Sequence, residues 1–368
     1  MEVRGANSLD EVDRAYELAA KIYGPNYFDA RFNFARARLL EPLRNLEDAV
    51  VIVDNHQILG FVRILDRELH STAGVIKAGG ITSVCVHPDL QGQGWGLQVM
   101  EAALDRSRQR GDVFSILFAR RAVDGWYPKL GYVGLGCHVE MRLEHPLSLE
   151  SLPLFSGVSK PGVEQADIDI YARAYSDSYR DIFLSFHRDR DWWANLEPRL
   201  SHQVNDAHFV TLIEEDTLIG YFIASENRVI EAAALPEYRS KFMAGFLGYF
   251  QSSGDNGPVL TLPLGHWCTR AFRALNHSLS VRQSWDGGHM IRILDASSFK
   301  DIVGYIASPE HCPAIYELFQ RWDVSRHEDA RHLLLALAGA PPRDDTLALK
   351  PATRLIPNLP SWSAVDEL

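Results

Sequence analysis

The chain has 368 residues, 46% hydrophobic and 23% charged, with a formal net charge of -11. That length exceeds one ordinary core and predicts two or three domains of a soluble globular protein. The acidic balance argues against general nucleic-acid binding, and no stretch approaches the roughly 20 apolar residues of a membrane span.

The N-terminus, MEVRGANSLDEVDRAYELAA, has no apolar secretory core. Cys85, Cys137, Cys268 and Cys312 lie far apart without CxxC spacing, as expected of reduced thiols in a cytoplasmic protein rather than a zinc site or disulfide framework. Residues 8–23 predict a helix, with Ser8 as cap, Glu11 three residues on and apolar positions at helical spacing. GPNYF breaks it, and residues 30–43 form a second helical piece. Two apolar runs around Asp54 and Asn55 read as a hairpin over 49–65. A strand over 80–86, a helix over 95–110 and a buried strand over 112–119 follow. Residues 123–136 predict a short helix and a turn, leading into a last strand at 137–144.

Residues 146–162, rich in Ser, Pro and Leu, read as a linker. The pattern then begins again: a helix over 165–186, strands at 208–215, 217–225 and 228–235, a helix over 236–252, a strand over 258–264, a helix over 268–277 and strands near 279–295. The matching order predicts one architecture used twice. Two helical patterns, 310–322 and 327–339, precede the tail LIPNLPSWSAVDEL.

The stretch between strand 80–86 and helix 95–110 carries Gly92, Gly94 and Gly96. A helix N-terminus leaves N–H groups without partners, its dipole favours anions, and glycines allow close approach. Strand, QGQGWG and helix therefore describe a phosphate cradle, although glycine-rich strand-to-helix turns also occur without a ligand. The spacing fits neither a Walker loop nor GxGxxG.

Gln91-Gly92-Gln93-Gly94-Trp95-Gly96, preceded by Val84-Cys85-Val86-His87-Pro88, resembles motif A of the GNAT acetyltransferase superfamily. Trp126-Tyr127-Pro128-Lys129-Leu130-Gly131-Tyr132 resembles its second signature. A narrower resemblance, to the tandem-domain Eis (enhanced intracellular survival) family, rests on 61-FVRIL-65 with 78-AGGITSV-84, on 187-HRDRDWW-193, on 289-HMIRILDASSF-299 and on the ending PSWSAVDEL. It implies an α/β fold with mixed sheets: a catalytic GNAT domain at 1–146, a degenerate GNAT-like domain at 163–303, and a helical extension at 304–368. The extension is too short for the sterol-carrier-like domain usual in that family.

The resemblance implies acetyl-CoA as co-substrate, with no metal. Its pyrophosphate would lie on the loop formed by Gln91, Gly92, Gln93, Gly94, Trp95, Gly96 and Leu97, and its pantetheine along the backbone of Val84, Cys85 and Val86. Leu235-Pro236-Glu237 stands where a second loop would be, so the second domain is expected to bind none and to wall the acceptor pocket or support the first. The acceptor would be a primary amine on a small molecule, peptide or lysine, with no nucleic acid or membrane partner; a homo-oligomer stays open.

Tyr127 is the candidate proton donor to the leaving thiolate, since a phenol is protonated at pH 7. A backbone N–H near Cys85 or Val86 would stabilise the oxyanion. The family resemblance makes the terminal carboxylate of Leu368 the base; His56, Asp124, His138 and Glu140 are alternatives. Cys85 as a ping-pong nucleophile is set against the inert hydrophobe that a strand cysteine usually is. The aromatic cluster 23–28, with Phe32 and Phe34, either lines the acceptor pocket or belongs to the core. The other function class is a non-catalytic acyl-CoA-binding or interaction module.

Overall fold

The computed structural model describes residues 1–23, 41–71, 74–119, 125–134, 137–142, 152–182, 184–203, 207–225, 228–252, 259–263, 265–274, 279–283 and 288–306, with a few positions beyond. Strand β1 (Glu2–Gly5) leads into helix α1 (Leu9–Tyr23). The expected cap is present: Ser8 Oγ accepts the Glu11 N–H at 3.2 Å. Glu11 in turn takes both Arg4 guanidinium nitrogens at 2.8 Å, and that pairing holds its carboxyl at about 2. Strands β2 (Ala49–Asp54) and β3 (Gln57–Ser71) turn on Asn55 and His56, both at positive φ, as tight hairpins require. There follow β4 (Gly74–Val86), α2 (Trp95–Gln109), β5 (Phe114–Ala119), a 3-10 turn at Tyr127–Leu130, β6 (Val133–Gly134) and β7 (Cys137–Arg142).

The second half holds β8 (Val158–Pro161), α3 (Ile168–Tyr179), β9 (Ser185–Phe186), α4 (Arg190–Ala194) and α5 (Leu196–Gln203). It continues with β10 (Ala207–Glu214), β11 (Thr217–Ser225), β12 (Arg228–Ala234), α6 (Arg239–Ser252), β13 (Val259–Pro263) and α7 (Trp267–Ala274). It ends with β14 (Leu279–Gln283), β15 (Gly288–Ile293) and α8 (Ala296–Ile306).

Two mixed sheets result, each with a core on both faces. The first runs β1-β2-β3-β4-β5-β15-β6; the second runs β14-β7-β13-β12-β11-β10-β8. In the first, Val50, Ile52, Val62 and Ile64 meet α2, while Val51, Val53 and Phe61 meet α1, the alternation of strand side chains. In the second, Phe222, Phe242 and Phe246 pack with α7 on one face, and Tyr171, Trp193 and Tyr221 fill the other.

The halves exchange strands. Residues 137–144 were expected to close the first half's sheet, but β7 instead stands between β13 and β14, with Met141 opposite both Leu260 and Leu279. In return β15 stands between β5 and β6. Apolar patterning identifies a strand but not the partners it pairs with. β9 also crosses over, pairing Leu69 with Phe186 and His70 with Ser185 at the far end of β3.

Smaller differences have local causes. Residues 158–161, expected within a linker, form edge strand β8 against β10. The helix expected over 165–186 gives way after Tyr179 to a turn and β9. Helix α8 is capped by Asp295, whose carboxylate accepts the N–H groups of Ser297 and Ser298 at 2.9 and 3.2 Å. The pieces expected over 30–43, 310–322 and 327–339 lie largely outside the described residues.

Candidate functional site

The site is built at the end of β4. Phe61 pairs with Cys85 but Arg63 pairs with Thr82, so one residue of β3 faces two of β4, a bulge centred on Ser83 at φ +56°. The parallel pairing of β4 with β5 ends at Ile81 opposite Leu117, and beyond it the strands part. Val84 and Val86 join the cluster against α2, while Cys85 joins the one against α1. Burial pushes the Cys85 thiol up to about 12, so it stays protonated at pH 7 and suits packing rather than nucleophilic attack.

His87 and Pro88 lead through a 3-10 turn, Pro88–Leu90, into the loop. Gly92 and Gly94 stand at φ +76° and +87°, and a side chain at either would point into open space. These backbone angles explain why both are glycine. The N–H groups of Gly92, Gly94, Trp95 and Gly96 donate to no acceptor among the described residues. They gather at the N-terminus of α2, where the helix dipole adds positive character. Gln91 turns inward instead, its side-chain amide donating to the Val86 carbonyl at 3.1 Å and tying loop to strand. Gln93 donates to the Asp89 carbonyl at 2.6 Å, and Leu97 is half exposed on the first turn.

The second motif meets the first. Gly96 lies against the Trp126 indole and the Val86 side chain, and a Cβ there would sit 3.5 Å from Trp126 Cζ2. Tyr127 opens the 3-10 turn beside Trp126, 7% exposed, in edge contact with Trp126 and Tyr132 at 5.1 and 5.9 Å. Tyr132 is fully buried, bonded to Ser115 Oγ at 2.6 Å, and burial raises its phenol further. The loop, the strand end and Tyr127 thus meet: Val86, Trp95, Trp126 and Tyr127 share one apolar cluster, and β4 leaves β5 beyond Ile81. Among the pantetheine-facing candidates, the Val84 carbonyl accepts Tyr23 Oη at 2.7 Å.

The candidate bases are scattered. Leu368 and Asp124 lie outside the described residues, as does the aromatic cluster beyond Tyr23. His56 sits at the hairpin tip. His138 and Glu140 lie on β7 in the second sheet, and Glu140 is 3.5 Å from Arg228. No three His, Cys, Asp or Glu residues among those described could hold a metal, and no described helix is long and apolar enough to cross a membrane.

In the second half the corresponding place is filled. β12 and β13 pair only at Arg228–Val259 and Val229–Leu260 before parting. Ser178 from α3 occupies that end of β12: its hydroxyl accepts the Ala234 N–H and the Trp267 indole N–H, each at 3.0 Å, and donates to the Ala234 carbonyl at 3.3 Å. Pro236 then leads directly through a 3-10 turn into α6.

The 187–193 motif is tied into the second half's core. Arg188 forms a buried bidentate pair with Glu231 at 2.7 Å, its guanidinium held between the Tyr175 and Trp192 rings. Asp189 caps α4 and Trp193 is core. Between β3 and the 186–199 segment lies a cavity of about 310 Å³ that sequence reasoning missed, because its walls come from distant segments. Glu41 sits on its wall, taken by Arg67 at 3.1 Å and Arg199 at 2.6 Å.

Residues 2–134 match the family model for an acetyltransferase (GNAT) domain. This part of the chain thus resembles a GNAT acetyltransferase domain, a family whose chemistry is acyl transfer. Solved structures extend the likeness to most of the chain. A GCN5-related N-acetyltransferase from Kribbella flavida superposes with TM-score 0.58 and 18% identity, covering 80% of this chain and 72% of its own. A probable N-acyltransferase from Enterococcus faecalis gives 0.59 and 16%, covering 81% and 74%. Eis1 from Mycobacterium abscessus gives 0.55 and 17%, covering 82% and 75%. At such identities the likeness is one of fold, and the fold is the Eis-like tandem arrangement. No curated protein sequence matches the chain.

Proposed function

We propose that the protein is an acetyl-CoA-dependent N-acetyltransferase acting on a primary amine. One observation carries this reading: amides without an acceptor among the described residues, on a loop whose Gly92 and Gly94 stand at positive φ, meet a parted strand end beside Tyr127. The loop amides would hold the pyrophosphate, and the end of β4 beyond its pairing with β5 would hold the pantetheine. Only the first domain, within 1–146, is proposed to bind acetyl-CoA, because Ser178 and Trp267 fill the equivalent place within 163–303.

Reaction by direct attack balances without a covalent enzyme intermediate. The neutral amine attacks the thioester carbonyl, a backbone N–H near Cys85 or Val86 meets the developing oxyanion, and the carbon–sulfur bond breaks. Tyr127 gives its proton to the sulfur, and a base takes the proton from nitrogen. The terminal carboxylate of Leu368 is proposed as that base on the family resemblance alone.

The test is thiol release from acetyl-CoA across a panel of amines. Amine-dependent release supports the reading. Binding of acetyl-CoA without release against any amine would leave an acyl-CoA-binding module instead.

A further inference from the structure

We propose that β15, contributed by the second half of the chain, is a working part of the acyl-transfer site, with Met290 as a positioning residue for Tyr127. The inference rests on the reading of Tyr127 as proton donor. Strand β6 comes just after the turn that carries Tyr127, and the Tyr132 N–H returns to the Tyr127 carbonyl at 3.3 Å. Among the described residues β6 pairs with β15 and with no other strand. β15 in turn pairs with β5 along its whole length, Met290 standing opposite Leu117 on one side and Gly134 on the other. Without β15, β6 would stand about two strand spacings, roughly 10 Å, from β5 with nothing between.

The side chains reinforce the backbone argument. Met290 is fully buried in the cluster that contains Tyr127, Leu130, Tyr132 and Val86. Arg292, on the same face, is 1% exposed and 3.8 Å from Glu101 on α2. Met290 fills the space below the tyrosines, so the fit there depends on a side chain of its volume. The second half, which lacks a glycine loop, thereby contributes to catalysis through the strand it lends.

The test is a double-mutant cycle in the full chain, with steady-state acetyl transfer as readout. Met290→Ala should lower kcat about tenfold, since misplacement of about 1 Å can cost up to about 100-fold. KM for acetyl-CoA should stay within about twofold, because the loop is untouched, and Met290→Leu should restore most of kcat. In a Tyr127→Phe background the alanine change should cost nothing further. Should alanine unfold the chain, Met290→Val is read the same way. An unchanged kcat, or an equal loss in both backgrounds, would overturn the proposal. Full turnover by Tyr127→Phe alone would instead overturn the proton-donor reading beneath it.

Discussion

At the scale of single residues, Tyr127 is the proposed proton donor, and Tyr127→Phe separates packing from proton donation. Its ring packs edge-on against Trp126 and Tyr132, and Tyr127→Phe keeps both of those contacts. Loss of a general acid typically costs about 10²–10⁴-fold in rate. The variant should therefore lose kcat by that order while melting temperature and acetyl-CoA affinity stay near wild type; a large fall in melting temperature would make the residue structural. Glu41 offers a pH signature. Burial alone would raise its carboxyl, but Arg67 and Arg199 outweigh that and hold it at about 2, below its ordinary 4.5. A depressed carboxyl stabilises the fold fully above its unfolded value and ceases to do so as pH falls through its folded one. Glu41→Gln should thus lower the melting temperature at pH 7, and the gap should close between about pH 4.5 and 2. A gap constant across that range would mean the charge contributes nothing. The glycines were legible because positive φ selects residue type. The role of Arg188 was not, because Glu231 lies far along the chain.

At the scale of elements, local signals were read well and partners were not. The α1 cap and the α2 entrance are set by neighbouring residues and stand where the sequence placed them, while the hairpin turns one residue later than the Asp54–Asn55 pair, on Asn55 and His56. β1, β9, α4 and α5 are short and carry little periodic signal. The exchange of β7 for β15 is a choice among long-range pairings that apolar alternation leaves open. It can be checked directly. Phe118 and His289 face one another across β5 and β15, with ring centroids 5.1 Å apart. With a protease site inserted between residues 146 and 150, the double variant Phe118→Cys, His289→Cys should oxidise to a cross-link. After cleavage the two pieces should migrate as one band without reductant and as two with it. Two bands without reductant would mean that β15 does not lie on β5.

At the scale of the whole molecule, one architecture occurs twice, but only the first half carries a glycine loop where its strands part. The first sheet parts beside an open glycine loop; the second parts around Ser178 and Trp267 and has Pro236 in the loop's place. Repetition of element order was visible in the sequence, and so was the missing loop. The filling of the second opening was not, since Ser178 is buried against β12 only by the fold. Calorimetric titration of the full chain with acetyl-CoA, alongside Gly94→Glu, tests this asymmetry most directly. Glutamate at φ +87° is strained and sets a negative charge against the bound phosphates. The account predicts one site per chain in the parent protein and none in the variant. Two sites per chain, or undiminished binding by Gly94→Glu, would contradict it.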